Sequence, residues 1–457
     1  MRIQALGGAL LLSWAAATLA EEAEAPKPPF TFALHGFVSG SVYAQDASLG
    51  PSEGQQSLYV NTQTATTKQP VQDRMIFGGD VRQSRFNFSV AGPQLPGFGG
   101  AIPRGVLEID FFGGFGSGNY GDVSVLPRMR WAYAELDWGG GNRILFGQTN
   151  DLIFTIAPVS LAHIAFPYSY GAGNIGWRRP GIFGFHTLGE KKGTNLEFAW
   201  EVGRSQWADQ GAVTQAANAT GTPPNPTITG NGIGQNVVGA GGDAYGFSLG
   251  EASGLPAVEA RLMLADGANW SLFSTGHWQR IDRSGVGAGP TTTPAGISSD
   301  LDVIAVNAGA KVKAGPLQLA ATGFVGKNLA PLVGNFLQFQ ANNVGDIHAK
   351  GGWVQAGLNL TQQISVWGFV GAELPDEKEA IAAHLGKIRN VTSVGMLQYR
   401  DSVKVAGLAS DYAIAAEWVH MNTRLRTYAS ATSSAAEAAL SGDVGGNQWM
   451  LTGNYFF

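Results

Sequence analysis

Six charged side chains in the first third of the sequence recur at two-residue spacing. Arg104, Glu108 and Asp110 share one parity across 102–113, opposite Leu107, Ile109 and Phe111, and Arg128 and Arg130 alternate with Met129, Trp131 and Tyr133. Arg85 likewise alternates with Phe86, on the opposite face from Phe88 as well. In an extended chain, residues of one parity point to one side, so the guanidiniums of Arg85, Arg128 and Arg130 should share a face with Glu108 and Asp110. Arginine stays charged at any physiological pH, and its donor fork fits carboxylate and phosphate oxygens. A row of such groups can hold an anion or orient a dipolar molecule.

Thiolate and zinc chemistries lack their residues. With no cysteine in 457 residues, disulfides, thiolate catalysis and Cys-ligated metal sites are all excluded. His35, His163, His186, His277, His348 and His420 stand in unrelated strands and loops, and no His-Glu-x-x-His zinc helix occurs. The reading is therefore of a protein that is not an enzyme and needs neither metal nor cofactor. A formal net charge of −5 gives no reason to expect a nucleic-acid partner.

The elements that would position the charged row are strands. Only 14% of residues are charged and 65 are glycine, which points to an all-β chain with many turns. Sixteen candidate strands can be placed at 31–43, 80–91, 102–113, 128–138, 142–149, 180–188, 193–203, 256–265, 269–282, 301–314, 316–326, 351–361, 363–373, 390–401, 411–422 and 446–457. Their connections alternate strictly. Long segments (44–79, 114–127, 150–179, 204–255, 283–300, 327–350, 374–389, 423–445) take turns with short ones such as Gly139-Gly140-Gly141, Asp266-Gly267-Ala268 and Gly315-Pro316. That rhythm is the signature of a transmembrane antiparallel barrel, with long loops at one end and tight turns at the other. In 195–202 the apolar set Leu196, Phe198, Trp200 and Val202 would face lipid, as would Trp449, Leu451, Tyr455 and Phe457 in the last strand.

The N-terminus fits export. Arg2, an apolar run from Ala5 to Ala17 and small residues before Glu21 predict a cleaved signal peptide over 1–20, followed by a short periplasmic lead over 21–30 and a barrel over 31–457. The apolar run is shorter than the roughly 20 residues of a spanning helix.

The runs Gln83-Ser84-Arg85-Phe86-Asn87-Phe88, Val106 to Gly113, Arg128 to Leu136, Phe146-Gly147-Gln148-Thr149 and the terminal Phe457 resemble bacterial outer-membrane porins of the sixteen-stranded, usually trimeric kind, and among them the DcaP-like group. The match is concentrated in residues 80–150 and the last strand. The resemblance implies a homotrimer in outer-membrane lipid, carrying small anionic or polar solutes. It implies that Tyr455 and Phe457 belong to a signal read by the barrel-assembly machinery, and that the loop after strand five, here 150–179, folds inward as a constriction. General diffusion porins set several acids in that loop against an arginine wall. This one offers only Asp151 and adds Arg178 and Arg179, a departure that implies excess positive charge and a preference for small carboxylates. Alternatively, some arginines pair with Glu108, Asp110 or Asp151, bracing the loop and leaving no net field; His163 could tune conductance by protonation. The segment 204–255 reads as a solvated extracellular loop. The alternative is a non-conducting adhesin or receptor barrel.

Overall fold

A computed structural model describes residues 29–61, 75–113, 125–189, 193–205, 213–216, 226–228, 242–244, 251, 253–282, 300–332, 345–382, 385–405, 408–427 and 439–457. The expected signal peptide over 1–20, most of the expected lead over 21–30 and most of 204–255 lie outside them.

Sixteen strands close into one antiparallel barrel. In chain order they are β1 (Thr31–Gln45), β2 (Ile76–Asp80 continued by Arg85–Ala91), β3 (Ile102–Asp110), β4 (Arg128–Asp137), β5 (Arg143–Asn150), β6 (Arg178–Gly189), β7 (Thr194–Gly203) and β8 (Ala257–Asp266). They continue with β9 (Trp270–Asp282), β10 (Asp300–Ala314), β11 (Leu317–Lys327), β12 (His348–Asn359), β13 (Ile364–Pro375), β14 (Lys387–Val405), β15 (Leu408–Thr427) and β16 (Ala439–Phe456). Each pairs with its sequence neighbour, and β16 returns to β1 in a register from Phe37↔Phe456 to Gln45↔Gln448. The sixteen strands and the long/short alternation follow the sequence pattern. Within 204–255, Val213–Ala216, Pro226–Ile228 and Gly242–Ala244 form a small separate sheet.

The burial pattern decides which way the alternation faces. In β16 Leu451 is 54% exposed while its neighbour Thr452 is 0% exposed. Leu196, Phe198 and Val202 of β7 are exposed and Glu201 is buried. A soluble barrel would show the reverse. With apolar side chains outside and every strand paired on both edges, the backbone is fully satisfied without water, which is the condition for crossing hydrocarbon. No helix of the described residues is long and apolar enough to cross a membrane.

Three departures from ideal strands bear on the interior. First, β2 breaks at 81–84, where the chain leaves the sheet and turns Arg82, Gln83 and Ser84 inward. Secondly, the pairing of β3 with β4 shifts between Glu108 and Ile109, which leaves Arg130 as the extra residue of a bulge. Parity predicts that Tyr133 lies opposite the arginines; instead it packs on the buried cluster of Leu145, Leu152, Phe183, Phe185 and Ala199, because the bulge resets the alternation. Thirdly, part of the first long segment is no surface loop: Leu49–Pro51 and Ser57–Val60 form a hairpin with Leu49, Leu58 and Val60 buried. Its carbonyls at Gly54 and Leu58 accept from Gln448 and Asn390 of the wall, at 3.0 and 3.1 Å.

Leu262 sits midway along the exposed row of β8. Replacing it by arginine should lower folding stability in lipid vesicles by about 2–4 kcal/mol, measured by denaturant titration; an unchanged midpoint would show that this face does not meet lipid.

Candidate functional site: a constriction inside the barrel

The segment 151–177 joins β5 to β6 by way of the barrel interior. Its neck is tied by Asp151, which accepts the Trp177 backbone N–H at 3.0 Å and binds Arg179 Nε at 2.9 Å and Nη2 at 3.0 Å. The next two residues are caught by wall carboxylates: Leu152 N–H donates to Glu201 of β7 (3.2 Å) and Ile153 N–H to Glu259 of β8 (2.7 Å). The chain then crosses to the far wall. Gln355 of β12 takes Val159 at both its N–H and its carbonyl, at 2.7 and 2.8 Å. Glu417 of β15 accepts Ser160 Oγ at 2.8 Å and the Leu161 and Ala162 N–H groups at 2.7 Å. Gln83, in the break of β2, donates to the Leu161 carbonyl at 2.7 Å and accepts Ile164 N–H at 3.1 Å. On the way back Trp353 donates to Asn174 and Asn390 to the Gly171 carbonyl.

This is how a loop can lie in a barrel without orphaned peptide groups, since buried backbone donors need partners and ionised acceptors make the stronger bonds. The wall also makes room. A Cβ at Gly371 of β13 would run into the Ala172 carbonyl, so only glycine permits that approach.

The arginines gather at a seam between the loop and β2–β4. Arg128 binds Asp110 at 2.6 Å, Arg130 binds Glu108 at 2.7 Å and Asp110 at 3.0 Å, and Arg85 lies 3.6 Å from Glu108. The Arg128 guanidinium also stacks 4.8 Å from the Phe166 ring centre, and that of Arg178 lies 3.9 Å from Trp177. Wall charge and loop aromatics are thus one packed unit, with the rings of Phe166, Tyr170 and Trp177 buried beside Leu58 and Tyr59 of the inner hairpin. Four guanidiniums, of Arg85, Arg128, Arg130 and Arg178, surround two carboxylates. Arg179 stands apart at the neck, shared by Asp151 and Glu201, where Glu259 also meets His277 Nδ1 at 2.7 Å. Arg104 is not brought to the constriction: it lies toward the turn end of β3, paired with Glu135 and Asp137.

The seam is only partly open to solvent: Arg130 and Arg178 are buried, and the Arg85 and Arg128 side chains keep 15% and 16% of their surface exposed. Arg178 and Arg179, expected in the loop, open β6 instead, where Arg178 stacks on Trp177 and Arg179 pairs with Asp151 and Glu201.

Two loop groups show how burial and pairing compete. Burial pushes the Asp151 carboxyl up, yet the Arg179 guanidinium and the Trp177 N–H override it and hold it below its ordinary value. Burial pushes the His163 imidazole down against the pull of Glu417. A ring with a depressed pKa is neutral above its ordinary range of about 6.5 and penalises the seated loop only as the pH falls below it.

The wall residues that grip the loop, Glu201, Glu259, Gln355, Glu417 and Gln83, were not among the predicted site residues. Their one signal was a carboxylate or amide on the non-lipid face of a strand. At the C-terminus, Tyr455 is exposed, and the Phe457 backbone pairs both ways with Gly36 while its ring packs on Phe86. A Gly-x-Ser-x-Gly spacing at 246–250 falls outside the described residues.

A closed sixteen-stranded barrel, apolar outside and polar within, is the fold of the outer-membrane porins. Among solved structures the chain is similar to the outer membrane channel DcaP of Acinetobacter baumannii, with 15% identity and a TM-score of 0.59, covering 94% of this chain and 99% of that one. It also aligns with an anion-selective porin from Comamonas acidovorans, at 12% identity and a TM-score of 0.49, over 94% of this chain and 100% of that one. At these identities the likeness is one of fold alone. No protein-family model matches the chain, and no curated protein matches it.

Glu417 is the test of the anchoring. Glu417→Ala strands two buried N–H groups, at about 1–3 kcal/mol each, and should free the loop tip, raising single-channel conductance and opening 156–164 to proteolysis. Unchanged conductance with a protected loop would contradict it.

Proposed function

We propose that this chain is an outer-membrane porin, through which small hydrophilic solutes diffuse passively with a preference for anions such as small carboxylates. The observation that carries this reading is the inversion of the barrel: an apolar belt outside, a polar wall within, and a loop bound across the interior by that wall. A barrel of sixteen strands is wide enough for a water-filled lumen, and a loop seated in it sets the narrowest section. The preference for anions rests on the four guanidiniums held against two carboxylates at the seam. With Arg130 and Arg178 buried in a low-dielectric wall and Arg85 and Arg128 half-buried, that imbalance reaches a passing solute as a field. Outer-membrane location follows from the same inversion together with the export signal expected over 1–20.

A second reading, a barrel that does not conduct, has one observation in its favour. The inner hairpin and the constriction loop pack together inside the barrel, sharing the cluster of Leu58, Tyr59, Phe166 and Trp177.

Reversal potentials in planar bilayers across a salt gradient separate these readings. The protein should show anion preference, which moves toward neutrality in an Arg85→Ala, Arg130→Ala variant and is kept when both become lysine. Channels without preference, unaltered by the substitutions, would retain the porin and sink the charge mechanism; absence of channels would favour the second reading.

A further inference from the structure

The arginine seam is mostly covered, with Arg130 and Arg178 buried and Arg85 and Arg128 half-buried, so a solute crossing the barrel meets other side chains as well. One inner surface stands out. Between the loop tip and the inner wall of β10–β13 lies a cavity of about 340 Å³, bounded on the loop side by Ile156, Ala157 and Val159. Lys311 and Lys313 of β10 enter it from the wall.

Register fixes their direction. Lys311 pairs with Ser271 and with Ala320, both on the face opposite the exposed Leu272 and Leu319, so it points inward, and Lys313 shares its parity. Both lysines are exposed, and no carboxylate lines the cavity among the described residues. Arg104 and Arg143, by contrast, also inside the turn end of the barrel, are both bound to Glu135.

The rest of the cavity fits an organic anion. Residues two apart on a strand sit roughly 7 Å apart, close enough for two flexible ammoniums to converge on one oxyanion. Ala320 separates Lys311 from Gln355 in the same cross-strand row and leaves space there. Trp367, together with Ile156 and Val159 of the loop, supplies an apolar floor. Gln355 is occupied by Val159 and Tyr168, so it holds the loop over the cavity and does not compete for the ligand.

We propose that Lys311 and Lys313 form an anion-binding subsite on the turn-end side of the constriction, taking small organic acids whose carboxylate lies between the two ammoniums and whose apolar part rests on Trp367 and the loop tip. Its place on a solute path rests on the channel reading, but its occupancy does not require conduction.

Saturation-transfer NMR on the detergent-solubilised protein, with benzoate as the ligand and neutral benzamide as the control, tests it directly. Benzoate should bind and benzamide should not. Lys311→Ala with Lys313→Ala should weaken benzoate by at least about tenfold, the scale of one charge-assisted contact, while the double arginine variant keeps it. Equal binding by the alanine variant, equal binding of benzamide, or no benzoate binding to the wild type would each overturn the subsite. A wild-type protein that binds benzoate in this way yet opens no channel in bilayers would leave the subsite standing and sink the channel reading.

Discussion

The pairing of β16 with β1 is the constraint on which the rest depends. In hydrocarbon no water is available to satisfy a free strand edge, so a sheet can cross only if it closes. Closure here runs through nine residue pairs from Phe37↔Phe456 to Gln45↔Gln448, with the rings of Phe37 and Phe456 packed 5.5 Å apart at one end. Once the sheet is closed, its apolar face must turn outward to lipid and its polar face is enclosed. That inversion creates the interior problem the remaining residues address.

An enclosed polar face needs partners, and in this molecule a folded-in loop and hairpin supply them. The exchange is reciprocal: the loop brings backbone N–H groups that need acceptors, and the wall brings buried carboxylates that need donors. Glu201, Glu259 and Glu417 each satisfy this at a different point on the circumference, so the loop is stretched between β7–β8 and β15. A buried carboxylate left without donors would be costly, as would a buried peptide group. The arginine seam adds a further tie, because Arg128 binds the wall through Asp110 and the loop through Phe166.

Much of this could be read from the sequence, for identifiable reasons. Strand number, strand parity and the loop rhythm are local properties with a period of two, and the pairing of Arg128 and Arg130 with Glu108 and Asp110 follows from parity on adjacent strands. Features that depend on partners distant in sequence were hidden. The inward hairpin at 49–60 carries no alternation that separates it from a surface loop, and the bulge at Arg130 becomes visible only when β3 and β4 are laid side by side. The break in β2 and Gln83 serve Leu161, some eighty residues away. Charge counting identified Arg85, Arg128, Arg130, Arg178 and Arg179 as a group, but could not show that Arg179 would part from it to the neck or that Arg130 and Arg178 would be buried. It also passed over Lys311 and Lys313, which lie far along the chain and share no motif with the seam.

The central claim is that residues 151–177 occupy the path of ions through the barrel. The chain has no cysteine, so a single Ala157→Cys substitution at the exposed loop tip gives one addressable thiol. Single-channel current should fall in discrete steps as a small anionic methanethiosulfonate reagent attaches to it. Full labelling of that thiol with no change in current would contradict the account.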